Sequence, residues 1–340
     1  MNNFDLKSFV RPNIWTLKPY SSARDEFWGE DGIFLDANEN PFGTKNRYPD
    51  PHQRKLKKTL SERKNISESN IFIGNGSDEI IDLIIRIFCE PQKDSILICP
   101  PTYGMYEVSA NINNVNITRV PLNDHFELNH QEILSKDAKC IFICSPNNPT
   151  ANLLKDVDRI IKDFQGIVIV DEAYIDFSDS ESYINRLEDF PNLIVMQTFS
   201  KAWGLAAVRV GVAYASEKII NLMDKIKPPY NVSKLNQEEA IEALSKSHKF
   251  EDRLSVILEQ RELLKKDLSE LSYVQNIYPS DSNFLLVKMN DANKVYNYLV
   301  SKNIIIRNRH SEISNSIRIT VGSPEENRQL IAELRNYKED

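Results

Sequence analysis

The chain has 340 residues, of which 27% are charged and 41% hydrophobic, with a net charge of -7 at neutral pH. That is enough for one large or two ordinary domains with a substantial core, and the balance excludes a disordered or collagen-like chain. No apolar run approaches the roughly 20 residues of a membrane-spanning helix, and the acidic surplus argues against nucleic acid or an anionic membrane as the main partner.

The opening MNNFDLKSFVRPN lacks the apolar segment and cleavage pattern of a secretory signal, so a cytoplasmic place is expected. Residues 36–51, rich in Pro and Asn, read as an ordered loop. Short β-branched runs follow at 71–73, 96–98, 141–143, 167–170, 193–196 and 208–213, separated by helical or loop segments. They are nearly continuous apolar runs, the pattern of strands covered on both faces, and predict an α/β doubly wound sheet. Residues 237–271 read as long helix, with apolar residues recurring at three and four. Strands are expected again at 283–287, 303–307 and 316–321, with helices at 291–303 and 323–337, giving a smaller α+β domain.

Cys89, Cys99, Cys140 and Cys144 form no C-x-x-C pair and read as buried free thiols, with Cys140 and Cys144 on one face of a strand. The five histidines are scattered, so no structural zinc site is expected.

Four stretches carry chemistry. In IFIGNGSDEIIDLIIRIF a strand passes through two glycines into an apolar helix opened by Ser77, Asp78 and Glu79. Unpaired N–H groups at such a helix start suit an anion, although a tight turn capped by Ser77 accounts for the same residues. IVIVDEAY puts Asp171 at the carboxyl end of a buried strand, where open α/β sheets bind ligands; a helix cap or an arginine partner is the plain alternative. CSPNNPT ends another strand in turn chemistry. MQTFSKAWGLAAVRVGVAY sets Lys201 among aromatic and small residues, where an ammonium must be paired, neutralised, used, or carried out to water on its stem. One ligand would use an acid, an amide, a lysine and an anion pocket together: pyridoxal 5'-phosphate, a phosphorylated pyridine aldehyde.

Taken with LKPYSSAR, LDANENPFG, RYPDP, CPPTYGMY, TFSKAWGLAAVRVG, IIIRN and IRITVG, these motifs span nearly the whole chain. The chain resembles the fold-type I pyridoxal-phosphate aminotransferases, and within them the histidinol-phosphate aminotransferase family. The resemblance implies a large doubly wound, mostly parallel sheet domain plus a small α+β domain. The implied bounds are 1–35 for an N-terminal segment joining the small domain, 36–265 for the large cofactor-binding domain and 266–340 for the small one.

It implies that Lys201 holds the cofactor covalently and shuttles a proton, that Asp171 pairs with the ring nitrogen, and that Asn148 and Tyr174 bond the ring oxygen. Tyr103 would stack on the ring. Gly76, Ser77, Asp78, Thr198, Ser200 and Arg209 would form the phosphate site. Tyr48 would reach the phosphate of a neighbouring subunit, which makes the active unit a homodimer. Arg318 would hold the substrate carboxylate, with Arg307, Tyr20 and Asn40 as further substrate contacts. The implied reaction is ping-pong transamination in histidine biosynthesis, glutamate leaving as 2-oxoglutarate and imidazole-acetol phosphate becoming histidinol phosphate.

An aromatic transaminase and a threonine-phosphate decarboxylase share the scaffold and stand as rivals. A non-catalytic regulator is the rival from another class, and the retained Lys201 argues against it. Two departures from the family pattern stand out. Ala151 follows NNPT where glycine is common, and Val208 precedes Arg209 where leucine is common. If the loop needs positive φ, Ala151 carries strain.

Overall fold

The computed structural model describes residues 4–20, 23–24 and 32–338; Ser21 and Ser22 of the LKPYSSAR motif, and part of the 1–35 segment, lie outside the described residues. Seven strands make the large sheet: β1 (Ile71–Asn75), β2 (Ser95–Ile98), β3 (Asn116–Arg119), β4 (Cys140–Cys144), β5 (Ile167–Asp171), β6 (Leu193–Thr198) and β7 (Val210–Ala215). Their spatial order is β1-β7-β6-β5-β4-β2-β3. From β3 to β6 all pairs are parallel, and β7 runs antiparallel to both β6 and β1.

The unbroken apolar strands follow from burial on both faces. In β4, Ile141 and Ile143 enter the core on one side of the sheet while Cys140, Phe142 and Cys144 enter the core on the other. All four cysteines are buried free thiols. The helix Ser77–Phe88 packs its isoleucines into the second of these cores. No helix among the described residues is long and apolar enough to cross a membrane.

The second sheet is antiparallel: β8 (Val274–Ile277), β9 (Phe284–Met289), β10 (Arg307–Asn308) and β11 (Ser316–Thr320), in the order β10-β11-β9-β8. Helices Ala292–Ser301 and Pro324–Asn336 flank it, the latter closed by a Ser323/Glu326 capping box. Leu264 and Leu268, near the end of the helix Ser247–Ser269, join this sheet's core rather than the larger one.

Several sequence expectations need correction. The helix expected over 237–271 is two helices, Lys234–Ser245 and Ser247–Ser269, broken at Lys246, whose backbone leaves the helical region. The Ser245 hydroxyl donates to the Glu242 carbonyl there, competing with the helical ladder. β3 and β8 are edge strands with half-exposed, polar-rich patterns, so hydrophobic periodicity did not reveal them. The strand expected at 303–307 contributes only Arg307–Asn308 to a ladder. β7 starts two residues later than expected because Arg209 takes a left-handed conformation, φ 54°, and turns the chain first. The first described residues of the 1–35 segment make their contacts with the large sheet's layer. Leu6 and Val10 are buried in its core, and Arg11 bonds Glu90 at 3.1 Å.

One glycine fixes how closely the large sheet meets the start of the helix Ser77–Phe88. A Cβ on Gly211 would lie 2.5 Å from the Ser77 backbone nitrogen, and the adjacent Gly76 backbone leaves no room to yield. Gly211→Ala is therefore expected to lower unfolding stability by about 1–3 kcal/mol, the usual penalty for overpacking. Urea unfolding checks it, and an unchanged midpoint would mean the helix start can retreat freely.

Candidate active site

The carboxyl ends of β4, β5 and β6 lie side by side, with Cys144 opposite Asp171 and Asp171 opposite Met196. They open on a cavity of about 570 Å³ between the two sheets. Ligands of open α/β sheets lie beyond such strand ends.

Asp171 is 3% exposed and forms the floor. Its Oδ2 accepts from the Tyr106 hydroxyl at 2.6 Å and its Oδ1 from the Ala173 N–H at 3.1 Å. Burial pushes its carboxyl up to about 6, against the pull of those two hydrogen bonds and of the Lys201 charge. No arginine or lysine pairs with it among the described residues, so an arginine partner does not account for this acid; its bond to the Ala173 N–H is of the turn-capping kind and engages one of its two oxygens. The adjacent Glu172 differs: it is also buried, but Ser182, the Tyr183 N–H and Gln197 all donate to it, a structural tie within the large domain.

Lys201 opens onto the same cavity, 5.6 Å from the centre of the Tyr174 ring, and forms no ion pair among the described residues. Burial, then the Arg318 and Arg209 charges, lower its pKa, while Asp171 and Asp78 oppose them. Its surface is open to the cavity, so this desolvation is partial. A lysine so placed, without an ion pair among the described residues and exposed to the cavity, is positioned to meet a ligand as nucleophile or base.

The anion end is built from the start of the helix Ser77–Phe88 and the turn after β6. Arg209 Nη2 sits 3.1 Å from Asp78 Oδ2, and the Tyr103 hydroxyl donates to the same carboxylate at 3.2 Å. Thr198 Oγ1 accepts from the Ser200 N–H at 3.1 Å, fixing the turn. Gly76 has φ 77°, and a Cβ there would meet Arg209 Nη2 at 2.5 Å. The helix start, a guanidinium and a hydroxyl therefore share a cradle, entered through a positive φ at Gly76 that an L side chain rarely adopts.

The opposite wall comes from the small sheet. Arg318 reaches across the domains to donate to Asn148 Oδ1, and the Asn148 amide nitrogen has no partner among the described residues. Tyr174 is buried with its ring edge-on to Phe284, 5.2 Å away. Burial raises its pKa, so its hydroxyl remains a donor at neutral pH.

The loop between Asn148 and this wall confirms the sequence expectation for Ala151. It has φ 70° and is fully buried, a left-handed conformation that costs an L residue about 1–2 kcal/mol. Its carbonyl accepts from the Asp281 N–H at 2.8 Å and the Ser282 hydroxyl at 3.2 Å, contacts that hold the strained turn against the small domain.

Of the residues singled out from sequence, Ser77, Asp78, Tyr103, Asn148, Asp171 and Tyr174 line the cavity. So do Thr198, Ser200, Lys201, Arg209, Arg307 and Arg318, with Gly76 directly behind Arg209. Three are not brought in. Tyr20 is 75% exposed, Asn40 is exposed and bonds Phe42 N–H, and Tyr48 is half-exposed and stacked on Tyr230 at 4.4 Å. Sequence reasoning missed Tyr106, Gly211 and Arg309. Tyr106 was legible within PPTYGMY, since its place three residues after Tyr103 puts both on one side of the turn into the helix Met105–Ile112.

Comparison with known proteins agrees with this geometry. The pattern of the family described as aminotransferase class I and II matches residues 33–334. The chain is 53% identical to the histidinol-phosphate aminotransferase of Cytophaga hutchinsonii over 98% of this chain and 99% of that protein. It is 51% identical to that of Bacteroides thetaiotaomicron, with the same coverage. The crystal structure of the Clostridium acetobutylicum histidinol-phosphate aminotransferase superposes with a TM-score of 0.79 at 24% identity, covering 86% of this chain and 90% of that one, a likeness of fold. The chain belongs to the class I and II aminotransferases, in their histidinol-phosphate aminotransferase family.

Proposed function

We propose that the chain binds pyridoxal 5'-phosphate and catalyses ping-pong transamination, glutamate giving up its amino group and imidazole-acetol phosphate receiving it to become histidinol phosphate. The observation that carries this reading is the convergence of Lys201, Asp171, Arg209 and Arg318 on one cavity. The residues fit the cofactor: the buried, cation-free carboxylate of Asp171 matches a protonated ring nitrogen, and the Gly76 cradle matches a phosphate. When bound, pyridoxal phosphate supplies an aldehyde for the amino group and a ring that accepts electrons from the substrate carbon.

The protein does the rest. Asp171 keeps the proton on the ring nitrogen. Lys201, with its amine partly desolvated among positive neighbours, takes a proton from the substrate Cα and delivers one back. Tyr174 and the free Asn148 amide donate toward the ring oxygen. Tyr103 covers the ring and excludes water. Arg318 receives the glutamate carboxylate with its planar fork, and Arg307 lies beside it for the phosphate of the second substrate.

The active unit in this reading is a homodimer completed by Tyr48. In its favour, Tyr48 lies outside its own cavity with half its surface exposed, on a segment that also exposes Ile33, Leu35 and Phe42. Tyr20 and Asn40 belong to the same reading as contacts made on closure or across subunits.

The cofactor-loaded protein, given histidinol phosphate, phenylalanine and threonine phosphate in competition, should turn over histidinol phosphate fastest, by about tenfold or more in kcat/KM. Faster turnover of either competitor would overturn the substrate assignment.

A further inference from the structure

The cavity holds a third arginine from the small sheet beside Arg307 and Arg318, namely Arg309. Arg307 lies opposite Arg318 in the β10–β11 ladder, and Arg309, whose N–H donates to the Ser316 carbonyl at 2.9 Å, continues the same pairing. Residues two apart on a strand share a face, and Asn308 between them turns the other way to bond Asn293 at 2.7 Å. All three arginines line the cavity.

Like charges directly opposite each other weaken a sheet. Neither Arg307 nor Arg318 has an acidic partner among the described residues. Among the described residues Glu312 alone pairs with the cluster, at 2.6 Å from Arg309 Nη1. The Arg309 side chain is 15% exposed, and its Nε is buried without a hydrogen-bond partner among the described residues, a costly state for a charged donor. A guanidinium tethered at one end and unsatisfied at the other is built to receive an acceptor.

A carboxylate is satisfied by one fork, which Arg318 supplies. A phosphate monoester carries nearly two charges at neutral pH and offers three terminal oxygens. We propose that Arg309 is the residue that lets this site prefer a phosphate-bearing substrate over a carboxylate one, adding its free Nε edge to the Arg307 and Arg318 pair. The inference deepens the transaminase reading and rests on it for the identity of the phosphate ester.

The test uses cofactor-loaded wild type, Arg309→Gln and Arg309→Lys, with urea unfolding to confirm that each is folded. Three quantities are measured: the inhibition constant of inorganic phosphate against glutamate, the KM for histidinol phosphate and the KM for glutamate. A charged hydrogen bond contributes about 1.5–3 kcal/mol, so Arg309→Gln should raise the first two by roughly 10- to 100-fold. The glutamate KM should move by less than about threefold, and Arg309→Lys should fall between, keeping the charge and losing the fork. A phosphate inhibition constant changed by under about threefold, or a glutamate KM that rises as much as that for histidinol phosphate, would overturn the proposal. If phosphate inhibition weakens as expected in Arg309→Gln but wild type does not turn over histidinol phosphate, the phosphate subsite stands and the substrate assignment falls.

Discussion

Replacing Lys201 by alanine is expected to lower transamination at least about a thousandfold, because it removes both the nucleophile and the proton carrier from one position. Stability should barely respond. Lys201 makes no ion pair among the described residues and is open to the cavity, so its removal strands no buried partner. Steady-state assays paired with urea unfolding therefore separate the two effects: activity collapses while the unfolding midpoint stays within about 1 kcal/mol of wild type. A Lys201→Ala protein that kept full turnover would show that another base does the work.

Asp171→Asn should also abolish turnover, by about a hundredfold or more, since an amide cannot hold a proton on the ring nitrogen as a carboxylate does. Its effect on the cofactor-free chain runs the other way. The folded Asp171 carboxyl titrates at about 6, above the ordinary value of 3.8. Between those pH values the folded state binds the proton more tightly than the unfolded state, so stability falls as pH rises from about 4 to about 6 and is level above it. At pH 7 the ionised carboxylate is thus a burden of about 3 kcal/mol at most. Asparagine removes that burden, and the Tyr106 hydroxyl can turn to accept from the new amide. Cofactor-free Asp171→Asn should accordingly unfold at higher urea than wild type at pH 7, with the difference vanishing below pH 4. Equal or lower stability of the variant at pH 7 would mean that the carboxylate is already neutralised within the chain.

The two results describe one design. Asp171 is held in a position that disfavours its charge until a cation arrives, and Lys201 in one that disfavours its own. Groups whose environments oppose their ordinary protonation mark a site of chemistry rather than of stability.

How much of this was legible beforehand differs by residue. β4, β5 and β6 were plain in the sequence because burial on both faces demands uninterrupted apolar runs. Their carboxyl ends therefore pointed to Asp171 and, through the turns, to Asn148 and Lys201. β3 and β8 were not legible, because an edge strand with one solvated side needs no such run. The break at Lys246 was hidden for another reason: apolar residues recur at three and four on either side of the polar run 245–249, which reads equally well as a solvated helix face, and a single serine side chain competing for the backbone marks the interruption. Arg318 was found through its motif, whereas Arg309 was not. Its role depends on a ladder that brings the 307–309 segment against β11 and on a buried nitrogen without a partner, neither of which local spacing encodes. Gly211 is similar, since a strand glycine reveals its purpose only when the helix start it touches is in place.

The most direct measurement is the visible absorption spectrum of the purified protein loaded with pyridoxal phosphate, recorded before and after glutamate and again after imidazole-acetol phosphate. A lysine-held aldehyde that accepts an amino group should lose its yellow band with glutamate and regain it with the phosphorylated ketone. A spectrum indifferent to both additions would contradict the claim that the lysine, the acid and the arginines around this cavity act on one bound ligand.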